Sequence, residues 1–108
     1  MKVLQLVETI NGKLITNETT KDNSFEGVYV GDLLSNVMAN IKEDNLFVTI
    51  MCNINTIAVA SLRDIPIIVF CEGKQATQEM INKANELEIA LIETPINAAE
   101  VIRKIYTI

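Results

Sequence analysis

The sequence predicts an α/β fold: a mostly parallel sheet of four to five strands with helices on both faces. Two patterns carry this reading. Runs such as Leu46–Ile50 and Ile67–Phe70 are apolar at every position rather than at alternate ones, as a strand buried on both faces requires. Between them lie segments whose apolar residues recur at helical spacing, and a strand–loop–helix alternation packs as a parallel sheet between helical layers. Each crossover is expected to be right-handed.

Taken in order, Val3, Leu4, Val7 and Ile10 form one face of a helix over about residues 2–10, which Asn11-Gly12 stops in the manner of a C-cap. Lys13–Thr16 is a short strand candidate, and Asn17–Ser24 is wholly polar, so it reads as an exposed loop. The stretch Gly27–Asn40 organises the rest. Val28–Val30 suit a strand, Gly31 suits a turn with positive φ, and Leu33, Leu34, Val37, Met38 and Ile41 continue at helical spacing. Lys42–Asn45 is a charged turn into the strand Leu46–Ile50. A helix of about residues 55–63 follows, with Asn53 and Asn55 as cap-type residues, and Arg63-Asp64 and Pro66 end it before the strand Ile67–Phe70. Cys71–Ala76 is a loop. Thr77 caps the next helix, with Gln78 and Glu79 in its first turn and Met80, Ile81, Ala84 and Leu87 on its buried face, and Glu88 ends it. Ile89–Ile92 is a further strand, broken at Pro95. Asn97 with Glu100 makes a capping-box-like start to a last helix striped by Val101, Ile102 and Ile105.

At 108 residues the chain fits one domain, spanning 1–108. Hydrophobic residues make up 49% and aromatic ones only 5%, so the core should be aliphatic rather than built of stacked rings. Net charge is −5, from 9 basic and 14 acidic residues, and no basic run exceeds Arg103-Lys104, which argues against nucleic acid as a partner. No apolar run is long enough for a membrane span, and Met1-Lys2-Val3 leads into an amphipathic pattern unlike a signal peptide, so a cytosolic protein is expected. The chain has no histidine and only Cys52 and Cys71, which makes a zinc-type site improbable and leaves both thiols as small hydrophobes. A short domain this apolar has limited interior, so a homodimer is expected.

Catalytic sets are missing. Without histidine a serine or cysteine nucleophile loses its commonest base, and Ser24, Ser35 and Ser61 lie in no nucleophile-elbow context. The glycines make neither a Walker loop nor G-x-G-x-x-G. What remains is the general rule that ligands of open α/β sheets lie beyond the carboxyl ends of the strands, near helix N-termini. That edge collects Gly31 and Asp32, the Met51–Thr56 segment with Asn53, Asn55 and Thr56, the Glu72–Lys74 loop with Gly73 and Lys74, and Thr94–Pro95. Gly31 and Gly73 permit close backbone approach, Asp32 is expected to cap its helix or meet a ribose or amine, and the Asn53–Thr56 turn and the cation Lys74 are expected to face a phosphate. The same asparagines and Asp32 also read simply as helix caps.

The residues Gly27-Val-Tyr-Val-Gly-Asp32, Leu33-Leu-Ser35 and Val37-Met-Ala-Asn40, with Phe47-Val-Thr-Ile50 and Ile57-Ala-Val-Ala60, resemble the DRTGG domain family. These are small α/β domains found inside some CBS-domain pyrophosphatases and phosphotransacetylases and as stand-alone chains; the stand-alone members are the nearer likeness. The family is similar in fold to the N-terminal domain of HPr kinase/phosphorylase, which carries no kinase chemistry itself. The resemblance implies a regulatory rather than catalytic role, an adenine nucleotide or diadenosine polyphosphate as ligand, and dimerisation. The chain departs from the family where Phe70-Cys-Glu-Gly-Lys-Gln75 stands in place of a Thr-Gly-Gly-type turn, leaving Gly73 to fill that part. The expectation is therefore a regulatory or ligand-sensing domain acting through a partner protein, with no cofactor and no metal. Two other classes stay open: an enzyme related to serine kinases or phosphotransferases, and a structural adaptor without a small ligand.

Overall fold

Residues 46–49, 67–70 and 90–93 are almost wholly buried, and this is what draws them into the middle of a sheet. The computed structural model describes residues 1–107. Among these it places helix α1 (Val3–Thr9), strand β1 (Lys13–Leu14), β2 (Val28–Val30), α2 (Leu34–Asn40), β3 (Leu46–Thr49), α3 (Ile54–Leu62), β4 (Ile67–Phe70), α4 (Gln78–Glu86), β5 (Ala90–Glu93) and α5 (Ala98–Tyr106). The strands form one sheet in the order β1-β5-β4-β3-β2, with β2 to β5 parallel and β1 antiparallel to β5. The α/β, mostly parallel architecture expected from the sequence is thus the one observed.

Side chains of each strand alternate between the sheet's two faces. Leu46, Val48, Ile67, Val69, Ala90 and Ile92 pack on one face with Val3, Leu6 and Ile10 of α1 and Val101 of α5. Phe47, Ile68, Phe70 and Leu91 pack on the other with Val37 of α2, Ile57 and Ala60 of α3, and Met80 and Ala84 of α4. Both faces are therefore covered, by two helices and by three. The three crossovers β2-α2-β3, β3-α3-β4 and β4-α4-β5 step in one direction and place their helices on one face, so they share one hand. The strand order never reverses along this run. Helices α4 and α5, which follow the neighbouring strands β4 and β5, lie on opposite faces, so the two connections part at the carboxyl edge.

Several local expectations are met by capping chemistry. Asn53 accepts from the N–H groups of Asn55 and Thr56, Thr77 from Met80 and Asn97 from Glu100, each at the start of its helix. The capping box at Asn97 is only half made, because the Glu100 carboxylate turns to Arg103 with contacts of 2.9–3.2 Å. Asn11, not Gly12, takes the left-handed conformation that ends α1 (φ 54°). Gly12 is demanded by space, since a Cβ there would stand 2.7 Å from Ile92 Cγ2.

Other local expectations are corrected. Gly31 has no positive φ; a side chain there would press on Tyr29 Cε1 at 3.0 Å and Val37 Cγ2 at 3.2 Å, so close approach is the reason for glycine. Helix α2 starts at Leu34, and Leu33 is its N-cap residue, 69% exposed rather than on the buried face. Leu87 falls just beyond α4 and is likewise exposed, because Glu86 is the last helical residue. The strand expected at Ile89–Ile92 runs one residue later. The segment Asn17–Ser24 is not a free loop: Glu18–Thr20 form a 3₁₀ turn, Thr20 is buried, and the Asn23 amide donates to the carbonyls of Pro66 (3.0 Å) and Glu88 (2.9 Å). It closes the amino end of the sheet.

Candidate functional site

Because β2 to β5 are parallel, their four carboxyl ends lie along one edge, followed by Gly31-Asp32, Ile50–Asn53, Cys71–Ala76 and Thr94–Ile96. Asp32 sits in the first of these segments. Its Oδ1 accepts from Thr49 Oγ1 (2.8 Å) and from the Ile50 N–H (2.9 Å). Thr49 Oγ1 accepts in turn from the Met51 N–H (3.0 Å), and the Thr56 hydroxyl donates to the Met51 carbonyl. Asp32 is therefore not a helix cap. It fastens the β2–α2 connection to the end of β3 and fixes the path of the next loop.

The N-terminus of α3 is occupied from within. Asn53 Oδ1 takes the N–H groups of Asn55 (2.9 Å) and Thr56 (3.3 Å), and Thr56 is fully buried. The third segment carries the free charge. Gly73 has φ 74° and no atom within 4 Å of where a Cβ would lie, so its role is the left-handed turn that lifts Lys74 outward. That turn is tied to the end of β5 by the Gly73 N–H to the Thr94 carbonyl (3.0 Å) and the Glu72 N–H to the Ile96 carbonyl (2.9 Å). Glu93, at the carboxyl end of β5, accepts the Ala76 N–H at 2.8 Å. Among the described residues Lys74 makes no ion pair; the two that form are Lys83–Glu86 and Arg103–Glu100, on helix exteriors.

Of the residues singled out in the sequence, Gly73 and Lys74 share a hollow of about 170 Å³ with Gln75, Glu93, Thr94 and Pro95. Gly31, Asp32, Asn53, Asn55 and Thr56 lie outside it. The hollow is smaller than ordinary ligand pockets of roughly 300–1,000 Å³, and it lies where the connections after β4 and β5 part toward opposite faces. Larger grooves lie elsewhere. One of about 520 Å³ is at the amino edge, between Asp22–Ser24, Asp64–Pro66 and Leu87–Ile89, and one of about 620 Å³ runs beside α4 from Ile54 to Glu86. Neither touches the strands' carboxyl ends. Glu93 was not foreseen, because a carboxylate closing an otherwise apolar strand has no local signature apart from its charge.

The two thiols flank this edge on opposite faces of the sheet. Burial pushes the Cys52 thiol up, Glu93 adds to the shift and Lys74 opposes it. Burial pushes Cys71 from the ordinary 9.0 up to about 11, with the carboxylates of Glu72 and Asp32 acting in the same direction. Folding thus favours the protonated Cys71. Its contribution is complete below the unfolded value near 9.0 and is lost as pH rises toward about 11. Chemical denaturation across that window should show the wild type losing on the order of 2–3 kcal/mol relative to Cys71→Ala, at about 1.4 kcal/mol per pH unit. Parallel pH profiles for the two proteins would contradict it.

Among the described residues no group of three or more acidic or cysteine side chains is placed to hold a metal ion, and no helix is long and apolar enough to cross a membrane. Among the described residues the edge offers one cation, Lys74, the anchored carboxylates of Asp32 and Glu93, the carboxylate of Glu72 and turn backbone, which suits a hydrogen-bonding ligand.

No curated protein matches the chain. A solved structure of similar fold is the regulatory region, comprising CBS and DRTGG domains, of Clostridium perfringens pyrophosphatase, complexed with its activator diadenosine tetraphosphate. It superposes with a TM-score of 0.80 at 18% identity, over 96% of this chain and 45% of that one. The chain thus spans less than half of that regulatory region. The family model for the DRTGG domain matches residues 5–108, nearly the whole length, and the chain belongs to the DRTGG domain family.

Proposed function

We propose that this chain is a non-catalytic regulatory domain of the cytosol that binds an adenine nucleotide at the carboxyl edge of its sheet and acts through a partner protein. The observation that carries the reading is Lys74: a cation without an ion pair, raised on the Gly73 turn beside the anchored Glu93. Support also comes from the family, since the similar regulatory region was crystallised with diadenosine tetraphosphate. In this reading Lys74 and the Gly73–Gln75 backbone meet phosphate oxygens, while Gly31, Asp32, Asn53, Asn55 and Thr56 hold the neighbouring loops in register. A pairing of two copies belongs to the same reading, motivated by exposed apolar side chains such as Leu62 and Tyr106.

The test is a titration of wild type and Lys74→Ala with AMP, ATP and diadenosine tetraphosphate, read by thermal shift and calorimetry. A ligand of the native state must stabilise it, by about 2.7 kcal/mol at one hundred times its dissociation constant. Lys74→Ala is expected to weaken binding by about tenfold, equivalent to 1.4 kcal/mol, because a charge-assisted contact to phosphate is lost. Binding that ignores the substitution would move the site away from this turn. No stabilisation by any of the three would end the nucleotide reading.

A further inference from the structure

The last strand on one side of the sheet, β2, has a partner on only one of its edges. Toward β3, Gly27 O accepts from Leu46 N and Gly31 N donates to Val48 O. Strand alternation then turns the N–H and C=O groups of Val28 and Val30 away from β3, to the open side. Native proteins usually blunt such an edge with a lysine, a proline or a bulge. Here Gly27–Gly31 contains no lysine or proline, and although the strand is only three residues long Val30 is 46% exposed. Leu33, Ile50 and Met51, in the connections that follow β2 and β3, are exposed as well, and the bonds from Thr49 and Ile50 to Asp32 tie these two connections together.

Charge selects the occupant. Exposed Glu26 stands at one end of the open edge, joined through its N–H to the carbonyl of exposed Asp44, and exposed Asp32 stands at the other. A second copy pairing antiparallel about Tyr29 would oppose Glu26 to Asp32 twice, and like charges directly opposite across strands are unfavourable. An extended segment with apolar residues in its middle and lysine or arginine at its ends meets both features at once.

We infer that the open edge of β2 is a docking site for an extended, basic-flanked segment of a partner protein, which adds a strand to the sheet. This deepens the reading of a module that acts through a partner, and it is tested without nucleotide, so the two can fail separately. The probes are a synthetic peptide of alternating valine and threonine with lysines at both ends, a copy with glutamates at the ends, and a copy with a central proline. Anisotropy titration is expected to favour the lysine peptide by about tenfold over either copy, with the preference falling as salt rises. Val30→Pro removes one outward N–H and no bond to β3, a substitution that edge strands tolerate, and should abolish that preference. Should the proline disturb the circular dichroism spectrum, Glu26→Lys reads the same pairing: the lysine peptide then binds severalfold more weakly. Equal binding of lysine and glutamate peptides, or no binding of any peptide at millimolar concentration, would overturn the inference. So would undiminished binding to folded Val30→Pro, or a dimer in sedimentation that Val30→Pro dissociates, since a second copy would then own the edge.

Discussion

Phe70→Ala is expected to lower the stability of the domain by about 3–5 kcal/mol, the largest single effect predicted for this chain. Phe70 closes β4 at full burial, in register with Thr49 on β3 and Glu93 on β5. Its ring belongs to the mostly aliphatic cluster under α2, α3 and α4, whose other rings among the described residues are Phe47, fully buried, and Tyr29, partly buried. Truncation removes the transfer free energy of the ring and leaves a cavity beneath the carboxyl edge. A domain of this size holds roughly 5–15 kcal/mol in total, so the loss is a large part of it. Urea unfolding should show the midpoint falling with an unchanged slope. A loss under about 1.5 kcal/mol would mean that this core collapses around the missing ring.

The second large effect is expected at Asp32, a residue whose exposure would suggest neutrality. Asp32→Ala should cost about 1.5–3 kcal/mol, because its carboxylate receives both the Thr49 hydroxyl and the Ile50 N–H, and Thr49 is buried. Water can reach Ile50 but not Thr49, whose hydroxyl loses its acceptor. Asp32→Asn retains an oxygen acceptor and is expected to recover most of the loss. Hydrogen exchange at Ile50 and Met51 should quicken in the alanine variant. If alanine and asparagine cost the same, the carboxyl oxygen is not what fastens the loop.

The β3, β4 and β5 segments were legible because strands buried on both faces leave uninterrupted apolar runs, and Asn53, Thr77 and Asn97 because capping needs one side-chain oxygen at one position. Asp32 was singled out in the sequence, but not for the latch it makes. A carboxylate two residues before a helix looks the same whether it caps that helix or reaches across to a neighbouring strand, and only the tertiary fold decides. Gly31 failed for a related reason: glycine records that a Cβ is unwelcome, without recording whether torsion or a neighbouring ring is the cause. Leu33 and Leu87 fit a helical period that simply stops short of them. Glu93 joins the candidate edge through Ala76, 17 residues away, a contact no spacing rule displays. The candidate site was therefore read as an edge with a capped helix at Asn53, while the latch at Asp32 and the place of Lys74 beside Glu93 required the fold.

The strand order has a consequence for a chain made from its N-terminus onward. Among the described residues strand β1 pairs only with β5, Lys13 with Glu93 and Leu14 with Ile92, so the first of these five strands to be made waits for the last of them. Helix α1 waits with it, because Val3, Leu6 and Ile10 pack against a face that β4 and β5 largely build. The β2–β5 units, by contrast, can each settle on the strand made just before them. Synthesis therefore leaves α1 and β1 exposed longest, and the domain is sealed by its first elements rather than by its last.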